Sequence, residues 1–261
     1  MARSADVLHG RVLWITRPLE QAGDWIHACE RAGARPISVP CVAIEALTDG
    51  ALRAQCQLLL SQADWLLLTS PTVVRVLATC LAGEPPRRSL RVAAVGPGTA
   101  ARARELGFSV ELVAERADSE GLAHILRREV PLRGRLVFLP QGDRAADALT
   151  LRLQQAGAAV SPLTIYTNRA PVGLRDTVDR ALTDAPPDWV LFASGSAFDH
   201  WREAWPLHAG RQRPHLASIG PHTSAVIRQA GHDVAAEAKQ PTIQSLLAAL
   251  ASAATPSEGD G

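Results

Sequence analysis

The chain has 261 residues, of which 47% are hydrophobic and 20% charged, so it can bury one large or two small cores and is not disordered. Its formal net charge of +1 excludes a nucleic-acid binder that works by bulk charge, and no nucleic-acid partner is expected. Lys239 is the single lysine and lies in a polar segment, which argues against Schiff-base chemistry.

The cysteines and the apolar segments predict a cytoplasmic protein. Four cysteines, Cys29, Cys41, Cys56 and Cys80, are widely separated and form no CxxC motif, which is typical of small core residues in a reducing compartment. The first ten residues contain no apolar signal-peptide core. The longest uncharged stretch, 240–257, is interrupted by two prolines, so no membrane partner is expected.

An internal repeat at an offset of 124 residues organises the chain. Asp64-Trp65 recurs as Asp188-Trp189, and the Gly-Pro-x-Thr sequence at 96–99 recurs at 220–223. Five further pairs keep this register: Gly33 with Gly157, Arg11 with Arg135, Gly107 with Gly231, Val110 with Val234, and Leu122 with Leu246. These matches indicate a tandem duplication.

Each repeat alternates short apolar runs with amphipathic helical patterns. In chain order, the first repeat predicts a strand at 11–16, a helix after Pro18 that ends at Gly33, a strand at 65–69, a helix from Thr72, a strand at 92–96, a helix at 99–106 and a strand at 110–113. The second repeat predicts strands at 136–139, 189–193, 216–220 and 234–236. This alternation predicts an α/β fold of two doubly wound parallel-sheet lobes.

Two extended, proline-containing segments, 38–47 and 160–169, break the alternation at equivalent places in the two repeats. We interpret them as connectors, so the chain is expected to cross between the lobes twice. The tail from Ala251 is expected to be a frayed end.

Hydroxyl-bearing residues or glycines follow five of the predicted strands, where ligands bind in open α/β sheets. The candidates for substrate binding are Thr16, Arg17, Thr69, Ser70, Gly96, Thr99, Ser194, Gly220 and Thr223. Each hydroxyl taken singly is explained equally well as a helix cap. Together, the helix N-termini of both lobes would line a cleft with donors suited to a ligand that carries many carboxylates.

Tyr166 is the only tyrosine and lies in the second connector, where a phenol can donate a proton to a leaving group or simply serve as an amphipathic linker residue. Arg17, Arg75, Arg144 and Arg169 could pair with carboxylates or remain solvated surface charges.

Motifs for cofactors and metals are weak or missing. The sequence at 96–101 fits only a loose dinucleotide fingerprint, the eight histidines are scattered, and Ser194-Gly195-Ser196 does not complete a nucleophile elbow. Neither a cofactor nor a metal is therefore expected.

Several motifs, in this order and spacing, resemble the uroporphyrinogen-III synthase family. The likeness runs from about residue 12 to 250 and includes VLWITRP, DWLLLTSPTVV, VAAVGPGTA, the Ile165-Tyr166-Thr167 segment, DWVLFASGSA and ASIGPHTSAVIRQAG. It implies two α/β lobes joined by a two-stranded ladder, the first of them discontinuous. Lobe 1 is then residues 1–36 and 170–261, lobe 2 is 45–159, and 37–44 and 160–169 are the connecting strands.

The resemblance also implies an enzyme, a cyclising lyase acting on the small molecule hydroxymethylbilane without cofactor or metal, as a monomer. Its product would be uroporphyrinogen III, formed with loss of water and inversion of the last pyrrole ring. The cleft residues of the family carry over onto Thr69, Ser70, Thr99, Ser194, Thr223 and Tyr166, with Tyr166 as the catalytic residue that assists the leaving hydroxyl.

Two departures concern carboxylate binding: Gly195 stands where the family often has proline, and 141–143 replaces a more basic loop. A non-catalytic bilobal sensor or binding module for an anionic tetrapyrrole-like metabolite is the competing hypothesis. A glycosyltransferase-like enzyme would need stronger nucleotide-binding motifs.

Overall fold

The computed structural model describes residues 7–81, 89–206 and 213–254. Its backbone contacts divide the chain into two compact units. Unit 1 consists of Met1–Ala43 and Arg169–Gly261, and unit 2 is the continuous segment Ile44–Asn168.

Strands and helices alternate along most of the chain. In order, the elements are β1 (Val12–Ile15), a 3-10 helix (Leu19–Gln21), α1 (Gly23–Arg31), β2 (Arg35–Ser38), β3 (Ala43–Ala46), α2 (Gly50–Gln62), β4 (Trp65–Leu68), α3 (Pro71–Leu81), β5 (Arg91–Ala94), α4 (Pro97–Glu105), β6 (Val110–Val113), α5 (Ser119–Glu129), β7 (Leu136–Gly142), α6 (Ala148–Gln155), β8 (Ala159–Arg169), α7 (Leu174–Asp184), β9 (Trp189–Phe192), α8 (Gly195–Ala204), β10 (His215–Ser218), α9 (Pro221–Gln229), β11 (Ala236–Glu237) and α10 (Ile243–Ala254).

The strands form two sheets. Sheet 1 has the order β11-β10-β9-β1-β2, and every neighbouring pair in it is parallel. Sheet 2 has the order β3-β8-β7-β4-β5-β6, with parallel pairing from β8 to β6. The predicted α/β class with parallel sheets is therefore confirmed.

Each sheet draws its strands from both sequence repeats. Sheet 1 combines β1 and β2 of the first repeat with β9, β10 and β11 of the second, and sheet 2 combines β7 and β8 of the second with β4, β5 and β6 of the first. In both sheets the strand order reverses where the two repeats meet, between β1 and β9 and between β7 and β4. These reversals are the switch points at which doubly wound sheets bind ligands.

The predicted connecting segments, 37–44 and 160–169, overlap paired strands of the two sheets. β2 belongs to sheet 1, β3 belongs to sheet 2 beside β8, and residues 160–169 lie within β8. Proline cannot donate a hydrogen bond to a ladder, but Pro162 of β8 lies opposite Leu139 of β7, and the two strands stay paired on either side of it.

Several element boundaries differ from the prediction. Helices α3 and α4 begin at Pro71 and Pro97 rather than at Thr72 and Thr99, because proline suits the first helical turn. β11 begins at Ala236 instead of Val234. α10 continues to Ala254, so Ala251 is helical, and the rest of the predicted frayed tail lies outside the described residues.

Both faces of sheet 2 are covered by apolar cores. Leu66 and Leu68 of β4 belong to one buried cluster, and Trp65 and Leu67 belong to another. Successive side chains of a strand point to opposite faces, so helices must cover the sheet on both sides. A third cluster around Leu13, Ile15 and Leu191 lies wholly in unit 1.

The cysteines are core residues, as expected. All four are free and buried, and burial is the main reason that the pKa values of the Cys29, Cys41 and Cys56 thiols are raised to about 12. Across the described parts of the chain, we find no helix with the length and apolarity needed to cross a membrane.

Candidate functional site

A cavity of about 260 Å³ lies at the switch point of sheet 2, where the carboxyl ends of β4, β7 and β8 meet. Three of the predicted site residues, Thr69, Ser70 and Tyr166, line it together. Its other lining residues are Ser119, Leu139, Gln141, Gly142, Arg144, Ala145, Ala146, Leu149 and Asn168. The cavity lies where a doubly wound sheet is expected to bind its ligand.

The extended ladder between β7 and β8 carries Tyr166 to this cavity. β4 pairs with β7 only as far as Phe138, but β7 and β8 stay paired as far as Gly142 and Tyr166. The register shifts by one residue between Gln141 and Gly142. Such an irregularity changes the direction of a side chain at the end of a strand.

Gly142 lies directly beside the Tyr166 ring. A Cβ atom at Gly142 would be 2.6 Å from both Cε2 and Cζ of Tyr166 and 2.9 Å from its hydroxyl oxygen. Carbon atoms do not approach this closely without a shift of one of them. The ring can occupy this position only because residue 142 has no side chain.

Burial is the main reason that the pKa of the Tyr166 phenol is raised above its usual value. The negative charge of Asp143 also raises this pKa, whereas a hydrogen bond with the Ser70 side chain lowers it. The phenol is therefore protonated at neutral pH and can serve as a proton donor.

Ser70 also caps α3, because its Oγ accepts a hydrogen bond from the Val73 N–H at 3.1 Å. That contact uses an Oγ lone pair, so the Ser70 hydroxyl proton can still be donated to Tyr166. Capping and site interpretations of Ser70 are therefore compatible. The same residue fixes the start of α3 and contacts the phenol.

In unit 1, Thr16 and Arg17 follow β1 at the equivalent switch point. Thr16 has no exposed surface, and its hydroxyl donates to the Leu191 carbonyl at 2.7 Å, joining β1 to β9. Arg17 is half-buried, donates to Gln21 at 3.2 Å, and places its guanidinium 5.1 Å from the centre of the Trp25 ring. Burial lowers the pKa of Arg17, and Asp24 raises it.

Ser194 follows β9 and caps α8. Its Oγ accepts from the Ala197 N–H at 3.2 Å and lies 3.0 Å from the Ser196 hydroxyl. The residue after it, Gly195, has no room for a side chain, because a Cβ there would lie 2.8 Å from a methyl carbon of Val226. The absence of proline at this position thus follows from the packing of α8 against α9.

The two Gly-Pro-x-Thr sequences begin α4 and α9. Thr99 and Thr223 lie in the first turns of these helices, and each is only 4% exposed. Gly96 allows a close approach, since a Cβ there would lie 2.9 Å from the Cβ of Ala117, whereas a Cβ at Gly220 would meet nothing within 4 Å. These residues occupy the carboxyl ends of β5 and β10 but do not line the cavity around Tyr166.

Sequence reasoning did not select several residues that line this cavity. Ser119, Gln141, Gly142 and Asn168 contribute to it, although Gln141 and Gly142 were noted only as part of the loop 141–143 and Asn168 only as part of the connecting strand 160–169. A glycine close after the apolar run 136–139 was the available signal for Gly142. Among the described residues, no group of three or more His, Cys, Asp or Glu side chains could hold a metal ion.

Comparison with known proteins gives one consistent family. A family model described as "Uroporphyrinogen-III synthase HemD" matches residues 23–248. A putative uroporphyrinogen-III synthase of Methanothermobacter thermautotrophicus is 29% identical over 251 residues, which cover 91% of this chain and 96% of the relative. Uroporphyrinogen-III synthase of Synechococcus elongatus is 24% identical over 253 residues, covering 93% and 95%.

Two solved structures share the fold. Mutant uroporphyrinogen III synthase of Thermus thermophilus superposes with a TM-score of 0.63 at 20% identity, covering 94% of this chain and 98% of that one. The synthetase of Helicobacter pylori gives a TM-score of 0.62 at 14% identity, with coverages of 91% and 96%.

Proposed function

Since the chain belongs to the uroporphyrinogen-III synthase family, we propose that it cyclises hydroxymethylbilane to uroporphyrinogen III, with inversion of the last pyrrole ring and loss of water. This reaction places the protein in tetrapyrrole biosynthesis as a cyclising lyase. The observation that carries the proposal is the half-buried Tyr166 phenol in a polar cavity at the switch point of sheet 2.

The first step needs a proton donor. A proton delivered to the substrate hydroxyl lets it leave as water with the C–O bonding pair. The lone pair of the attached pyrrole nitrogen drives formation of the exocyclic double bond, and loss of the N–H proton gives the azafulvene. We assign this donation to the Tyr166 phenol, whose burial keeps it protonated. Ser70 is placed to stabilise the phenolate that forms, because a hydrogen bond to the ionised phenol favours ionisation.

The later steps depend on holding the substrate. The azafulvene carbon is attacked by the substituted position of the last ring, giving a spiro intermediate, and fragmentation and reclosure then invert that ring. Orientation of a linear tetrapyrrole is the main requirement, because simple head-to-tail closure gives the wrong isomer. Arg144 and the N-terminus of α3 line the cavity and supply positive potential for substrate carboxylates.

The remaining predicted residues are proposed to act differently. Arg17 and the N-termini of α8, α4 and α9, with Ser194, Gly96, Thr99, Gly220 and Thr223, are proposed to bind further carboxylates of the substrate. Thr16 is proposed to act only by joining β1 to β9, since its hydroxyl is buried and already donated.

The test is to supply hydroxymethylbilane to the purified protein, without added metal or cofactor, and to resolve the uroporphyrinogen isomers by chromatography. We expect the type III isomer, whereas a reaction without protein gives the symmetric type I isomer. Only type I product at high protein concentration would contradict the proposal. If such a preparation still bound the substrate saturably, the sensor or binding module would be the better explanation.

We also propose that the protein works as a monomer in the cytoplasm. Its four cysteines are free and buried, as is common in proteins of reducing compartments. Sedimentation velocity at micromolar concentration tests the monomer, and a concentration-dependent dimer would contradict it.

A further inference from the structure

The Tyr166 ring lies against the end of β7. The ring lies where the Cβ of any other residue at position 142 would be, at 2.6 Å from two ring carbons. Gly142 is buried and has no positive φ, so its backbone conformation does not itself require glycine. The steric constraint therefore comes from the Tyr166 ring.

Asp143 is hydrogen-bonded to the backbone of β8 at Tyr166 and just after it. Its N–H donates to the Tyr166 carbonyl at 3.1 Å, and its Oδ1 accepts from the Asn168 N–H at 2.9 Å. The Asn168 side-chain amide adds a longer contact of 3.4 Å to the same oxygen. One residue thus makes two hydrogen bonds to the backbone of β8 directly after the Cα from which the phenol projects.

We infer that Gly142 and Asp143 form a positioning pair for the Tyr166 phenol, glycine by leaving space for the ring and aspartate by holding the strand that carries it. This inference rests on the proposed function, since it assigns the pair to the group that donates the proton. Neither residue needs to touch the substrate for this role.

The charge of Asp143 adds a second effect. A carboxylate beside the ring disfavours the phenolate, so it helps keep the proton on Tyr166 until the substrate hydroxyl accepts it. The neighbouring cation, Arg144, lines the same cavity and is better suited to a substrate carboxylate than Asp143 is. A carboxylate at position 143 would repel a bound polyanion, so substrate binding does not explain Asp143. A role in positioning Tyr166 does explain it.

The first experiment uses the absorbance of phenolate near 295 nm. Because the chain has a single tyrosine, this titration reports Tyr166 alone. We expect Asp143→Asn, which keeps an acceptor for Asn168 but removes the charge, to lower the pKa of Tyr166. Asp147→Asn is the matched control, since Asp147 is exposed in the same loop and makes no capping hydrogen bond; it should leave that pKa unchanged. No substrate is involved, so this result stands apart from the proposed function.

The second experiment measures kcat, KM and the isomer ratio. Asp143→Ala should lower kcat by about 10-fold or more, because a misplacement of 1 Å can cost about 10²-fold. The change in KM should be smaller, and the share of type I product should rise. Asp143→Asn should recover most of the lost kcat because it restores the acceptor. The inference would be overturned if Asp143→Ala kept the wild-type kcat. It would also be overturned if kcat fell while the pKa of Tyr166 stayed unchanged in both Asp143→Ala and Asp143→Asn.

A double-mutant cycle tests Gly142. Gly142→Ala should lower the thermal midpoint in the wild-type background and have little effect in the Tyr166→Ala background, where the ring is missing. Gly50→Ala is the matched control, because a Cβ there would meet nothing within 4 Å. Equal losses in both backgrounds would show that Gly142 serves the backbone and would overturn its part in the pair.

Discussion

At the scale of single residues, the two repeats differ at the position where the chemistry is proposed. The offset of 124 residues places Val42 at the position in the first repeat that Tyr166 occupies in the second, and Val42 is a buried apolar residue. The phenol therefore has no counterpart in the other repeat. Tyr166 could be selected from the sequence because it is the only tyrosine. The roles of Gly142 and Asp143 depend on the shifted register between β7 and β8, which the sequence pattern does not reveal.

Tyr166→Phe removes the hydroxyl and keeps the ring. We expect kcat to fall by about 10²-fold or less, the lower end of the range for general acid catalysis, because water or a substrate carboxylate can partly substitute. The phenol is the active form and its pKa is raised, so wild-type kcat should hold through neutral pH and fall only as the pH rises through a value above the usual range for tyrosine. Tyr166→Phe should lack that alkaline decline. A variant with wild-type turnover, isomer ratio and pH profile would show that the hydroxyl is dispensable.

At the scale of elements, helix starts were predicted to within about two residues because their caps and prolines are local signals. The strands were harder. The predicted connecting strand 160–169 lies within β8, but its pairing with β7 was not predicted, because it joins residues more than twenty positions apart. The capping serines could be identified from the sequence, but their contact with a distant phenol could not.

Ser70→Ala separates capping from site chemistry when compared with Asp49→Ala. Asp49 caps α2 by accepting from the Leu52 N–H at 2.8 Å and does not line the cavity around Tyr166. Each substitution should cost about 1 kcal/mol of unfolding free energy, the usual effect of a lost cap. Only Ser70→Ala should also lower kcat and raise the pKa of Tyr166, because the hydrogen bond with Ser70 lowers that pKa. Denaturant unfolding and the phenolate titration measure the two effects; equal kcat in both variants would leave Ser70 as a cap alone.

At the scale of the whole molecule, the duplication visible in the sequence is not the division of the fold. Each sheet combines the first two strands of one repeat with the last three of the other, sheet 2 carries β3 as a further edge strand, and the apolar clusters follow the units. Matched residues show the offset between the repeats, but they do not predict that the repeats exchange strands. That exchange was predicted only from the family resemblance. Pairings such as β1 with β9 span more than 170 residues, and no local pattern specifies them.

A fragment of residues 44–168 should therefore fold by itself. It contains all of β4 to β7, nearly all of β8, and both apolar clusters of sheet 2, so its core is complete without the rest of the chain. A fragment of the first repeat, 11–134, has nearly the same length but lacks β7 and β8, and its β1 and β2 have lost β9. We expect a cooperative thermal transition and protected amides for 44–168, and neither for 11–134, because the latter leaves the edges of β1 and β4 and their apolar faces without partners. Cooperative folding of 11–134, with 44–168 unfolded, would mean that the repeat rather than the exchanged unit is the folding domain.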